Sequence, residues 1–279
     1  MSEIITLDGS RAKYHARGPE FEGARTAALG SLKLRDETSG IALLDHVLAR
    51  ASGDGAKAVL APLDGDTWHA YRAVTETDGS PPFLMEPTSR PHDLVALRAT
   101  GFEPVASYLS TIASLDDAIG EPARPVDCVR IEPWDGSDAG GLVADLFSLS
   151  THAFAGNPFF KPIDEAAFSE IYRPLVPLLD ARHVLFARDE AGALVGFLFA
   201  MPDFSPRNGQ RAVILKTYAA TRRGVGFLLA DTFHRRARDM GFGQVIHALM
   251  HEGNVSRERS GRHGARTFRR YALMARRLS

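Results

Sequence analysis

Apolar residues follow two different periods along this chain. Val225, Leu228, Leu229, Phe233, Ala237 and Met240 recur every three to four residues, with Asp231, His234, Arg235 and Arg238 on the opposite side. That spacing predicts a helix burying one face and stopped by Gly241. A second helical pattern places Leu142, Val143, Leu146, Phe147 and Leu149 on one face, and a third places Ile41, Leu44, Val47, Leu48 and Ala51 inward. Strand-like runs surround them. Cys128-Val-Arg-Ile alternates, and residues 183–202 read as a hairpin turning at Asp189-Glu-Ala-Gly. Ala58-Val-Leu-Ala, residues 212–219, residues 244–250 and residues 271–278 complete the set.

These patterns recur in order. A strand, a small-residue turn, a helix and a strand appear in both halves, and aligning Gly40 with Gly224 sets Ala42 opposite Gly226. Asp116 to Asp127, rich in Pro, Gly and charge, reads as a linker between two modules, residues 1–119 and 125–279.

Composition narrows the class. The 279 residues are 44% hydrophobic and 24% charged with a formal net charge of −1, so the overall balance calls for neither nucleic acid nor a membrane surface. Cys128 is the one cysteine, which excludes an intramolecular disulfide and fits a reducing compartment. No apolar run approaches the ~20 residues needed to span a bilayer, and residues 1–9 lack a secretory pattern, so a cytoplasmic protein is expected.

The turn Thr221-Arg-Arg-Gly-Val-Gly-Phe lies between a strand and the main amphipathic helix. Amides at a helix start lack intrahelical acceptors and favour an anion. Gly224 and Gly226 permit close approach, and Arg222 and Arg223 add charge.

With the hairpin before this turn and Val245-Ile-His-Ala-Leu-Met-His-Glu-Gly-Asn after it, the C-terminal half resembles the GNAT superfamily of acyl-CoA N-acyltransferases. The resemblance implies an α/β (α+β) fold with a mixed, mostly antiparallel twisted sheet flanked by helices. It implies two such modules in tandem, the first a degenerate copy. It further implies that Thr217, Tyr218, Ala219, Ala220, Thr221, Arg222, Arg223, Gly224, Val225, Gly226, Phe227 and Asn254 contact acetyl-CoA or another acyl-CoA. The pantetheine arm would enter a V-shaped opening between neighbouring strands, with a strand N–H polarising the thioester carbonyl. Two departures stand out: Thr221 replaces the family's usual Gln or Arg, and Ser260 stands where many members have a tyrosine acid. Tyr218, His251 and Glu252 are the remaining candidates for proton transfer, each with the alternative of an ordinary packed or solvated side chain.

In the first half, Trp68, Tyr71, Arg72 and Glu86 either wall an amine or carboxylate site or pack between domains. Asp36-Glu-Thr-Ser stands where a phosphate turn would prefer neutral or basic residues, so that half is expected not to bind CoA. The arginine-rich stretch from Arg257 to Arg277 meets either an anionic ligand or solvent and carboxylates. The reaction expected is acetyl transfer from acetyl-CoA to a primary amine of a small molecule or peptide; the alternative is an inactive acyl-CoA-binding or ligand-binding module. The assembly expected, if any, is a homodimer.

Overall fold

The computed structural model describes residues 2–207, 209–253 and 264–278. The chain forms two compact units, Met1–Tyr108 with Asn157–Lys161 and Arg269–Ser279, and Leu109–Gly156 with Pro162–Phe268.

The first unit begins with an antiparallel hairpin, β1 (Ser2–Leu7) and β2 (Ser10–His15). Asp8 and Gly9 between them both have positive φ, the turn whose twist matches two paired strands. β3 (Thr26–Lys33) pairs antiparallel with β2, α1 (Glu37–Gly53) follows, and β4 (Ala58–Ala61) returns parallel to β3. Leu43, Leu44, Val47 and Ala51 of α1 are buried, as the three-to-four spacing requires. β5 (Ala73–Thr77), α2 (Pro91–Ala99) and β6 (Glu103–Ser114) come next.

The second unit contains α3 (Leu115–Ala118), β7 (Val129–Pro133), α4 (Ala139–Phe154), α5 (Glu165–Tyr172), β8 (Val184–Asp189), β9 (Leu194–Arg207), β10 (Gln210–Ala220), α6 (Val225–Asp239) and β11 (Gln244–His251). β7, β8, β9 and β10 pair antiparallel in that order, and β11 lies parallel to β10. Strand alternation sends side chains into two clusters. Leu198, Ala200, Val213 and Leu215 meet Val225, Leu229 and Phe233 of α6. Phe186, Phe197 and Ala219 meet Leu142 and Leu149 of α4. Burying a side chain such as Phe233 contributes about 1.5–3 kcal/mol. The last strand, β12 (Arg266–Arg277), pairs antiparallel with β4 and β5 of the first unit.

Three expectations change. The passage between units lies inside β6, at Tyr108 to Leu109, rather than in residues 119–125. The Pro-rich stretch is a surface connector of the second unit, held to α6 by Ala123 N to Asp231 (3.1 Å) and Arg235 to Gly120 O (2.9 Å). Most of β12 belongs to the first unit because its backbone partners are there. Third, His234 lies on the buried side of α6, its Nε2 3.0 Å from Nε2 of His247.

The order antiparallel, antiparallel, then parallel across a helix occurs as β1-β2-β3-α1-β4 and again as β8-β9-β10-α6-β11. The helix caps are Asp36 and Gly224, so the two starts correspond four residues away from the Gly40 alignment. Gly40 is a packing glycine: a Cβ there would stand 2.8 Å from Leu34 and 3.2 Å from Ala96. Among the described residues, no helix is long and apolar enough to cross a membrane.

Candidate functional site

β10 and β11 pair only from Ala212 and Gln244 to Leu215 and His247, although the strands continue to Ala220 and His251. Two backbone irregularities accompany their parting. β10 shifts register against β9 between Leu215 and Thr217, and Leu249 of β11 takes φ +56°. Such a conformation strains a branched residue and persists only where its surroundings enforce it. Here the Leu249 amide is drawn to Ser110 Oγ at 3.0 Å, and Ser110 is fully buried. The paired register of β10 and β11 thus ends at Leu215 and His247.

Past the end of β10, Thr221 is tied back to β9 by its amide and hydroxyl, which donate to Val195 O at 3.0 and 3.3 Å. Arg222 donates to Asp127 O at 3.3 Å. Gly224 then reverses the chain at φ +87°, a region that favours glycine, and caps α6 without any side chain. Within the described residues, the amides of Arg223, Gly224 and Gly226 meet no acceptor. The turn from Thr221 to Gly224 is exposed, α6 has no acid in its first turn, and Arg236 and Arg238 sit in its last. Its start therefore presents unfilled donors and the positive end of a helix dipole. Close packing fixes its position: a Cβ on Gly196 would lie 2.9 Å from Val225 and 3.1 Å from Leu229.

Val225 is buried beneath this turn and Phe227 is partly exposed on it. Along β10, Tyr218 and Ala220 pack toward the α6 side and Ala219 toward α4, while Thr217 pairs with Phe199. The Tyr218 ring lies against the helix start, 3.3 Å from where a Cβ on Gly226 would be. His251 ends β11, and its Nδ1 accepts from Gly253 N at 3.0 Å, which places the proton of the neutral ring on Nε2. Glu252 follows in the turn. Asn254 and Ser260, with Arg257, Arg259 and Arg262, lie outside the described residues.

The four candidates of the first half are held inside the first unit. Trp68 Nε1 donates to Lys161 O at 2.8 Å, and its ring meets Phe160 edge-on. The Arg72 guanidinium sits 4.0 Å from the ring centres of both Tyr71 and Tyr108 and donates to the Tyr71 hydroxyl. Burial pushes the Tyr108 phenol up. Glu86 is buried: its side chain is 0% exposed, accepting from Arg269 at 2.9 Å, from Phe83 N at 2.9 Å and from the Tyr271 hydroxyl. Other arginines of the C-terminal stretch are paired too, Arg270 with Glu76 and Arg277 with Glu22.

The equivalent places in the first unit are filled. Asp36 accepts from Ser39 N at 2.8 Å, so a carboxylate already occupies the start of α1; that bond, Ser39 Oγ and Arg35 hold its pKa down to about 2. β3 and β4 stop pairing at Ala28 and Leu60, but Leu63 N bonds Leu29 O at 2.8 Å and carries Asp64 onto Gly30. Ser31 (2.8 Å), Lys13 (3.0 Å) and His15 (2.7 Å) then hold the Asp64 carboxylate. Burial opposes its charge, and those three groups outweigh burial and keep it below its usual value. Among the described residues, no group of three or more His, Cys, Asp or Glu could hold a metal ion.

No protein-family model and no curated protein matches this sequence. Solved structures do match in fold. A GCN5-related N-acetyltransferase from Sphaerobacter thermophilus aligns over 96% of this chain and 76% of its own, at 13% identity and TM-score 0.56. A tandem GNAT protein from the clavulanic acid biosynthesis pathway aligns over 98% and 81%, at 14% and 0.57. A GCN5-related N-acetyltransferase from Anabaena variabilis aligns over 97% and 63%, at 11% and 0.57. At these identities the likeness is one of fold, a mixed α/β architecture with a mostly antiparallel sheet.

Proposed function

We propose that this protein is an acyl-CoA-dependent N-acyltransferase, moving an acetyl group from acetyl-CoA to a primary amine of a small molecule or peptide. The observation that carries the reading is the uncapped start of α6, with donor amides at Arg223, Gly224 and Gly226, after the point where β10 and β11 stop pairing. In this reading the pyrophosphate rests on those amides with Arg222 and Arg223 beside it. The pantetheine arm enters between β10 and β11 along residues 217–220, and a β10 amide near Thr217 stabilises the oxyanion. The amine attacks the thioester carbonyl, and the C–S bond breaks with its electrons leaving on sulfur. Positioning supplies most of the rate. Tyr218, His251 and Glu252 stand near the strand ends for proton transfer, and Asn254 follows them.

The first unit is read as a degenerate copy of the same module. Its repeated strand order supports that relationship, while the Asp36 cap and the Asp64 backbone occupy the positions that ligand would need.

The test is a thermal-shift titration with CoA and acetyl-CoA on the wild-type protein and on Gly224→Glu, together with thiol release over a panel of amines. Stabilisation lost in the variant, with turnover of at least one amine by the wild type, is the expected result. An equal response of both proteins removes the site. Stabilisation with no turnover on any amine supports a binding module instead.

A further inference from the structure

The connector that follows α3 in the second unit, residues 119–127, is fastened along one side of α6. Arg235 Nη2 donates to Gly120 O at 2.9 Å, and Ala123 N donates to Asp231 Oδ2 at 3.1 Å. Further on, Val126 Cγ2 stands 3.2 Å from where a Cβ on Gly224 would be, and Arg222 Nη2 donates to Asp127 O at 3.3 Å. Gly224, Asp231 and Arg235 are seven and four residues apart, spacings that return to the same face of a helix. The connector thus runs antiparallel to α6 and ends beside the uncapped helix start.

Its length leaves little slack. From Gly224 to Arg235 the helix rises about 16 Å at 1.5 Å per residue, and Gly120 to Val126 in an extended, proline-rich conformation spans about 19 Å. Pro122 and Pro125 flank the Ala123 anchor and stiffen the chain on both sides of it. Ile119 and Val126, near its two ends, pack on the core cluster that includes Val225, Leu229 and Phe233. Between them the connector hangs on Asp231. That side chain is 12% exposed, and both its oxygens accept from Arg235 Nε at 3.1 Å, which holds the carboxylate in place at the Ala123 amide.

We propose that Asp231 is a positioning residue for the diphosphate site at the start of α6. By holding Ala123 it keeps the connector extended, which sets Asp127 O where it steadies the Arg222 guanidinium beside the anion. An exposed arginine otherwise spreads over many rotamers, and freezing them on binding weakens the complex. Asp231 lies about two helical turns from Gly224, so its effect on the ligand passes through the connector. This inference rests on the acyl-CoA reading and adds to it a residue outside the site.

Isothermal titration of the full chain with CoA tests it in a double-mutant cycle. Asp231→Ala is expected to weaken CoA about three- to tenfold when Arg222 is present and to have no further effect in the Arg222→Ala background. Ala123→Pro removes the same hydrogen bond from the connector side, leaves α6 untouched, and is expected to behave alike even where Asp231→Ala disturbs the fold. A residue that only supports the fold would weaken CoA equally in both backgrounds. That additive result overturns the proposal, as does wild-type affinity in both single variants. Absence of CoA binding by the wild type removes the acyl-CoA reading together with it, whereas wild-type binding with an additive cycle removes the role of Asp231 alone.

Discussion

A Cβ placed on Gly30 would stand 2.4 Å from the Cα of Asp64. The two backbones touch because β3 needs no side chain at that point. Gly30→Ala is therefore expected to destabilise the protein by about 1–3 kcal/mol, since rigid backbone rather than a movable side chain must give way. Urea denaturation measures this, and acetyl-CoA affinity should not change.

Arg223 is exposed beside the open helix start and bonds nothing else among the described residues. Arg223→Ala is expected to leave the thermal midpoint within a degree or so of wild type, as surface changes usually do. It should weaken CoA several-fold, more at low salt than at high salt. Unchanged CoA affinity across salt concentrations would contradict the phosphate role.

Glu86 and Arg269 form a buried pair, with side chains 0% and 5% exposed. Glu86→Ala leaves a guanidinium buried without its carboxylate and is expected to cost about 3–5 kcal/mol, read from chemical denaturation. Glu86→Gln should cost less, because it retains an acceptor for Tyr271.

His183 is 2% exposed, neither ring nitrogen has a hydrogen-bond partner, and burial lowers its pKa. The unfolded chain then takes up a proton before the folded one does. Stability contributed by the neutral ring is present above the ordinary histidine pKa near 6.5 and declines as pH falls below it. The nearby Asp180, held at about 2 mainly by Arg182, titrates far below that window. His183→Phe is expected to flatten the fall in thermal midpoint between neutral and mildly acidic pH; an unaltered slope would exclude this histidine as its source.

Local patterning made much of the second unit legible before any coordinates. Alternation in residues 184–189 and 194–202 marks strands because half of each run faces a core, and the period of α6 marks its buried side. The turn at Gly224 was visible because a left-handed start to a helix leaves a glycine in the sequence. What stayed hidden depends on distant partners. Nothing adjacent to Glu86 announces Arg269, and nothing near Ser110 announces the Leu249 amide. His234 reads as a polar-face residue until His247 is seen opposite it. Gly40 misled the alignment of the two helices because a glycine serving side-chain packing looks the same as one serving a turn.

The pairing of β12 with β4 and β5 bears on the order of events during synthesis. Residues 1–108 leave the ribosome first, yet the strand that covers the free edge of β4 arrives only after residues 109–268 have emerged. Until then an unsatisfied strand edge is exposed to other nascent chains. The second unit is thus free to become compact first, and residues 1–108 mature only after it.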